Sequence, residues 1–195
     1  MLDSRILNTF RDLLEQAQNS GEREPTSMNL ATVDAEGRPH SRIVLLKQVD
    51  ERGVRFYTNY DSAKGRELNA NTAVALCFHW QLLGDGVQVR IEGHSLRLAA
   101  DESAAYFATR PRGSQIGAWA SLQSETLRDR ADFENRYTLY ERKFTNQDVP
   151  CPPHWGGYLV EPDRVEFWYG QHFRLHQRTR WDLQGDTWCS RLLYP

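Results

Sequence analysis

Near the C-terminus, in the stretch Glu166–Arg178 (EFWYGQHFRLHQR), two arginines and a histidine alternate with other residues. In an extended strand alternate side chains share one face, which would set Arg174, His176 and Arg178 in a row. A row of such donors suits an anion or an electron-rich ring, and Trp168 offers a flat aromatic face just upstream. Taken alone, the stretch reads more simply as a surface strand paired to acidic neighbours.

Three further stretches carry groups of the same chemical kind. FYTNYDSAKGREL places Tyr57, Thr58, Ser62 and Lys64 around a strand-to-helix turn. Hydroxyls, a lysine and a helix N-terminus make a phosphate cradle, because free N–H groups and the helix dipole favour an anion. An ordinary serine cap beside a solvated lysine explains the same residues equally well. YFATRPRGSQIGAWASLQS brings Tyr106, Arg110, Arg112 and Ser114 close in sequence, with Gln123 and Ser124 following as uncharged hydrogen-bonding groups. Tyr106 and Arg110 are neighbours at i,i+4 on one helix, and Ser114 is placed to cap the next. This is a second anion site; the simpler reading, a helix–proline–helix corner, leaves many donors unused. SRIVLLK sets Arg42 and Lys47 at the ends of an apolar strand, with opposite parity. A regular strand cannot aim both at one small site, so the strand bends, or the two serve different sites or act through backbone groups. By itself this stretch reads as a core strand with charged ends. No nucleophile elbow, HExxH, Walker A or GxGxxG motif occurs, and the histidines show no metal-ligand spacing, so no metal is expected. Two phosphate cradles suggest two phosphorylated ligands, one of them suited to be a cofactor.

The elements that must position these groups are mostly strands. An amphipathic helix opens the chain over residues 3–20, with Ile6, Leu7, Phe10, Leu13, Leu14 and Ala17 on one stripe and Gly21 stopping it. From Met28 the pattern turns β: MNLATVD, HSRIVLLKQV and VRFYTNY, joined by short polar turns, form a meander. A short helix capped by Ser62 follows, then the strands AVALCFHW and VQVRIEGHSLRLA. Asp101 is placed to cap ESAAYFATR, and SQIGAWAS and TLRDRADFENRYTLYERKF read as further helices. WGGYLVEP, RVEFWYG, RLHQRTRWDL and TWCSRLLYP return to strands. With no βαβ alternation, the fold class is mainly β with peripheral helices (α+β), a closed or partly split β-barrel.

The 195 residues suit one domain, and the net charge of -2 argues against a general nucleic-acid binder. Three widely spaced cysteines, Cys77, Cys151 and Cys189, point to reduced thiols. The charged N-terminus has no signal-like apolar run and no stretch approaches a membrane span, so a cytoplasmic protein without membrane partners is expected.

Taken in order, RIVLLK, FYTNYDSAKGREL, YFATRPRGSQIGAWASLQS, PPHWGGYLVEPDRVEFW and RLHQR…RLLYP resemble the pyridoxamine 5′-phosphate oxidase family, from about Thr26 to the C-terminus. The resemblance implies an FMN-binding split β-barrel working as a homodimer with FMN at the interface. One domain would span the chain, with a dimerisation and substrate region from about residue 150 to 195. The activity implied is oxidation of pyridoxamine or pyridoxine 5′-phosphate to pyridoxal 5′-phosphate, in vitamin B6 metabolism, with oxygen as acceptor and hydrogen peroxide as product. FMN would be held by Arg42, Ile43, Val44, Leu45, Leu46 and Lys47, by Tyr57, Thr58, Lys64 and Gln88, and by Gln123, Ser124, Trp168 and Arg178. The substrate phosphate would meet Lys47, Tyr106, Arg110 and Ser114. Arg174 and His176 would cover the pyridine ring as the catalytic pair. Three departures stand out: Ala63 occupies a usually basic position, Val87 replaces an arginine, and the WQLLGDGVQVR link is longer than usual. The N-terminal lead segment is also short. A related flavin oxidase acting on another ring, such as a phenazine precursor, and a non-catalytic FMN or pyridoxal phosphate carrier are the alternatives.

Overall fold

Asp3 opens helix α1 (Ser4–Asn19) by accepting a hydrogen bond from the Arg5 N–H at 2.8 Å. In the computed structural model, which describes residues 1–195, the apolar stripe of α1 is buried at Ile6, Leu7, Phe10, Leu13 and Ala17. Phe10 meets Phe78 edge-on at 5.1 Å and lies 6.0 Å from Trp80, which seats the helix on the sheet. Each such fully buried side chain contributes roughly 1.5–3 kcal/mol.

The strands are β1 (Ser27–Val33), β2 (Pro39–Leu45), β3 (Gln48–Asp50), β4 (Gly53–Asn59), β5 (Ala73–Trp80), β6 (Val87–Arg97), β7 (Trp155–Tyr169), β8 (Gln177–Gln184) and β9 (Thr187–Leu193). They form one antiparallel sheet in the order β2-β1-β5-β6-β7-β4-β3, with β8 and β9 added beyond β7. Only Leu46 and Lys47 separate β2 from β3, the two ends of that path. The Leu46 N–H donates to Thr26 O at 2.8 Å and the Lys47 N–H to Arg55 O at 2.9 Å. The sheet therefore curls into a half-barrel around Leu30, Phe56, Leu76, Phe78, Val89 and Val160. No helix is long and apolar enough to cross a membrane.

Several expectations are corrected. HSRIVLLKQV is not one strand: it breaks at Leu46 and Lys47, where the barrel turns its corner. WGGYLVEP and RVEFWYG are one strand, β7. A register shift against β6 at Glu92/Gly93 accommodates Pro162, whose missing N–H would otherwise interrupt the ladder. The N-cap of helix α3 (Ala100–Ala108) is Ala99, and Asp101 sits in its first turn. Pro111 occupies the N-cap of α4 (Arg112–Ala120), so Ser114 lies inside that helix. Helix α5 (Arg130–Lys143) starts at an Asp129 cap, not at Thr126. Helix α2 (Ala63–Ala70) follows expectation, with Ser62 accepting from the Gly65 N–H.

The largest correction falls on the C-terminal arginines. Residues His172–Arg174 form a 3-10 turn, with Phe173 at φ 56° and Arg174 at φ 62°, and β8 begins only at Gln177. The alternation of Arg174, His176 and Arg178 is thus not a strand face. Left-handed backbone at two consecutive non-glycine residues leaves no signal in residue type.

Arg164, Arg180 and Arg191 converge on Asp182 at 2.8, 2.9 and 3.0 Å, tying β7, β8 and β9 together. The hydrogen bond from Arg180, aided by Arg164 and Arg191 against the cost of burial, lowers the Asp182 carboxyl to about 2 from 3.8. Its stabilisation is complete above the ordinary carboxylate value and is lost as pH falls through about 2. Asp182→Asn is expected to lower stability at neutral pH by about 1 kcal/mol, solvent screening included. In thermal melts the gap between the two proteins should close as pH falls from 5 toward 2; a constant gap would contradict this role.

Candidate active site

The broken corner between β2 and β3, the end of β4, the start of α2 and the α3–α4 turn surround a cleft of about 500 Å³. It gathers both anion-site stretches: Tyr57, Thr58 and Lys64 from one, Tyr106, Arg110 and Ser114 from the other. Ile43, Val44, Leu45, Lys47 and Gln123 complete the expected members. Trp155, Thr109 and Pro111 line it as well and were not singled out from sequence.

At one side of the cleft, Ser62 is buried and its hydroxyl donates to Asn59 O at 2.7 Å while accepting from the Gly65 N–H at 3.2 Å. The Lys64 ammonium donates to the Thr58 and Ser62 hydroxyls at 3.3 and 3.4 Å. Thr58 in turn lies 3.4 Å from the Gln123 amide oxygen. Burial pushes the Lys64 pKa down, and the nearby Arg42 charge adds to that. Glu67, the carboxylate of α2, is committed elsewhere: Arg42 donates to it at 2.6 Å. Lys64 is thus a half-buried cation among hydroxyls at a helix start; the Glu67 charge reaches it only at a distance, and no carboxylate pairs with it. Ala63 adds no second cation, and Arg66 turns to Asp61 O and Glu125 at 2.6 and 2.9 Å.

Arg110 stands across the cleft. One guanidinium nitrogen, Nη1, is buried without a hydrogen-bond partner. The group lies over the Trp155 ring at 4.6 Å and nearer the edge of the range for Phe107 at 5.6 Å. Burial lowers its pKa, though an arginine stays charged regardless. Tyr57 and Tyr106 stack at 3.9 Å, and burial raises both phenol pKa values, so both remain neutral donors. A buried charge with unused donors costs free energy unless a ligand supplies the partner.

The remaining expected residues lie outside the cleft lining. Leu46 is buried in the barrel core. The Arg42 guanidinium turns toward Thr32, Leu30 O and Glu67. The parity conflict with Lys47 is resolved because the two side chains serve different places. Ser124 holds a left-handed backbone at φ 75° beside Gln123. Gln88, Trp168 and Arg178 form a cross-strand row, Gln88 opposite Trp168 and Trp168 opposite Arg178. Arg178 donates to Glu166 at 2.8 Å and to Tyr194 O at 3.0 Å, and the Glu166 bond raises its pKa. His176 packs on Trp168 with ring centres 4.5 Å apart. Its Nδ1 faces the Gln171 N–H at 3.2 Å and accepts from it, so the neutral ring carries its proton on Nε2. Arg174 is exposed beside them.

Comparisons with known proteins bear on what such a site holds. The family model described as pyridoxamine 5′-phosphate oxidase matches residues 14–140. The model described as pyridoxine 5′-phosphate oxidase C-terminal dimerisation region matches residues 155–195. A protein of Xanthomonas campestris pv. campestris named pyridoxine/pyridoxamine 5′-phosphate oxidase is 52% identical over 196 residues, covering 100% of this chain and 98% of its own length. One of the same name from Myxococcus xanthus is 48% identical over 195 residues, covering 100% and 94%. Among solved structures, PhzG from Burkholderia lata in complex with tetrahydrophenazine-1-carboxylic acid matches with a TM-score of 0.91 at 31% identity, over 96% of this chain and 91% of that one. A pyridoxamine 5′-phosphate oxidase-related, FMN-binding protein from Nostoc punctiforme matches at 0.76 and 16% identity, over 100% of each chain, a likeness of fold.

Proposed function

The chain belongs to the pyridoxamine 5′-phosphate oxidase family, and from that premise we propose that it oxidises pyridoxamine or pyridoxine 5′-phosphate to pyridoxal 5′-phosphate, with FMN as cofactor, oxygen as electron acceptor and hydrogen peroxide as product. The observation that carries the substrate class is Arg110, a half-buried cation with an unpartnered Nη1 in a cleft shared with Lys47, Tyr106 and Ser114. A phosphate dianion satisfies those donors together.

FMN, when bound, supplies the hydride acceptor and the route of electrons to oxygen. Lys64, Thr58 and the start of α2 fit its phosphate, since they present a cation, a hydroxyl and free N–H groups without a competing carboxylate. Edge strand β2 pairs only with β1, so the backbone of Ile43–Leu45 has an unpaired side for hydrogen bonds to a ring system. Lys47, Tyr106, Arg110 and Ser114 anchor the substrate phosphate. Arg174 and His176 cover the pyridine ring and orient its reacting carbon, with the His176 Nε2–H as donor. The cross-strand row of Gln88, Trp168 and Arg178, together with Arg174 and His176 beside it, does not line the cleft of its own chain. Two copies pairing through the C-terminal region would bring the row of one to the cleft of the other, with FMN between them; exposed Ile43, Leu192 and Tyr194 suit such a contact. The free thiols suit a cytoplasmic setting.

A phenazine-type substrate is the second reading, favoured by the likeness to PhzG. The carboxylate of such a ring could pair with Arg110, but a phosphate also engages Lys47, Tyr106 and Ser114 of the same cleft, which favours the phosphorylated substrate. Purified protein should be yellow with FMN and should release peroxide and pyridoxal 5′-phosphate from the phosphorylated substrates. Failure to take up FMN would sink the reading.

The longer β5–β6 link has a place in this account. The Gly170 N–H donates to Gly86 O at 2.7 Å, and the Leu82 N–H to Glu22 at 2.8 Å, so the link braces the turn that carries Arg174. A Cβ on Gly170 would stand 2.0 Å from Asp85 O and 2.6 Å from its carbonyl carbon. Gly170→Ala must therefore displace the turn, and kcat is expected to fall about 10- to 100-fold while FMN stays bound. Unchanged kcat would show that the turn needs no brace.

A further inference from the structure

We propose that Trp155 is a positioning residue for the phosphate anchor: its indole face, in place of a carboxylate, holds the Arg110 guanidinium in the cleft. The inference rests on the reading of Arg110 as the group that meets the substrate phosphate.

Most other arginines that are partly or fully buried in this chain are held by acids, and Arg136 is held by the Ala120 carbonyl at 2.8 Å. Arg42, Arg55, Arg164 and Arg178 each meet a carboxylate within 2.8 Å. Arg110 has no such pair. Its guanidinium sits 4.6 Å from the centre of the Trp155 ring, within the distance at which a cation is attracted to an aromatic face. That attraction uses none of the guanidinium N–H groups. A carboxylate would occupy those donors, neutralise the charge and compete with an incoming phosphate. The aromatic face orients the cation and leaves its fork free.

The indole is itself held in place. Trp155 is 8% exposed, and its N–H backbone group donates to Pro152 O at 3.0 Å. Phe107 meets it edge-on at 5.0 Å. Tyr57 and Tyr106 lie nearly parallel to it, at interplanar angles of 10° and 5°. The ring shelf thus joins two residues of the cleft to the anchor, and Tyr106 brings its hydroxyl to the same site.

The test is the kinetics of Trp155→Leu and Trp155→Phe with pyridoxine 5′-phosphate and with pyridoxine. Trp155→Leu should raise KM for the phosphorylated alcohol about tenfold, with a far smaller fall in kcat. Its preference for the phosphorylated over the unphosphorylated alcohol should drop by the same factor. Trp155→Phe keeps a weaker aromatic face and should raise KM about threefold; it carries the test if Trp155→Leu does not fold. Equal losses on both alcohols, a loss confined to kcat, or an unchanged KM in Trp155→Phe would overturn the proposal. A parent protein that does not prefer the phosphorylated alcohol would instead overturn the functional reading on which the proposal stands.

Discussion

Replacing Arg110 with alanine is expected to raise KM for pyridoxine 5′-phosphate about 30- to 100-fold, while FMN content stays near the parent value. The size follows from losing charge-assisted hydrogen bonds to phosphate, each worth about 1.5–3 kcal/mol, at about 1.4 kcal/mol per tenfold. Stability should not fall with affinity. Arg110 makes no ion pair in the free protein and holds a buried Nη1 without a partner, so truncation removes an unmet cost of the folded state. A melting temperature equal to or above the parent, together with the raised KM, would mark a group kept for binding. Arg110→Lys should fall between, because it keeps the charge and loses the planar fork. Loss of flavin in Arg110→Ala would place this arginine at the cofactor instead.

The C-terminal arginines should separate into two roles. Arg178 is committed to Glu166, whose side chain is only 6% exposed. Arg178→Ala would leave that buried carboxylate facing Arg90 alone at 3.5 Å, a loss of about 3 kcal/mol on the scale of broken buried pairs. Distortion of β7 and β8 at Trp168 should then weaken FMN retention. Arg174 is exposed and carries no ion pair to lose. Arg174→Ala should therefore keep the parent melting temperature and flavin content while kcat falls at least about tenfold, the scale of one misplaced orienting contact. Flavin content after gel filtration, measured beside kcat, decides between them. Equal flavin loss in both variants would refute the division.

What could be read from sequence was the part encoded by near neighbours. The stripe of α1 and the Ser62 cap of α2 depend on residues within a few positions, and both appear as expected. The two stretches proposed to bind anions could be picked out for the same reason: each gathers its donors around one turn. That a single cleft joins them is a property of the curled sheet, which no local pattern states. The errors share a cause. At Leu46–Lys47 an apolar run hides the corner of the barrel, and at Pro162 a bulge keeps a strand running through a residue that usually ends one. At Phe173 and Arg174 the backbone turns left-handed without a glycine to announce it. Which cations are free was also beyond local reading. Arg42 is satisfied by Glu67 across 25 positions and Arg178 by Glu166 across 12, whereas Arg110 rests on an indole from a distant strand. Trp155 stood inside a recognisable motif and gave no sign of this contact until the strands were in place.

The most direct test of the central claim is the ratio of kcat/KM for pyridoxine 5′-phosphate to that for pyridoxine, measured by peroxide release from purified, FMN-loaded protein. An anchored phosphate satisfying a buried arginine predicts a ratio of at least about 100, the equivalent of roughly 3 kcal/mol. A ratio near one would contradict the account, because Arg110 and its cleft would then have no phosphate to hold.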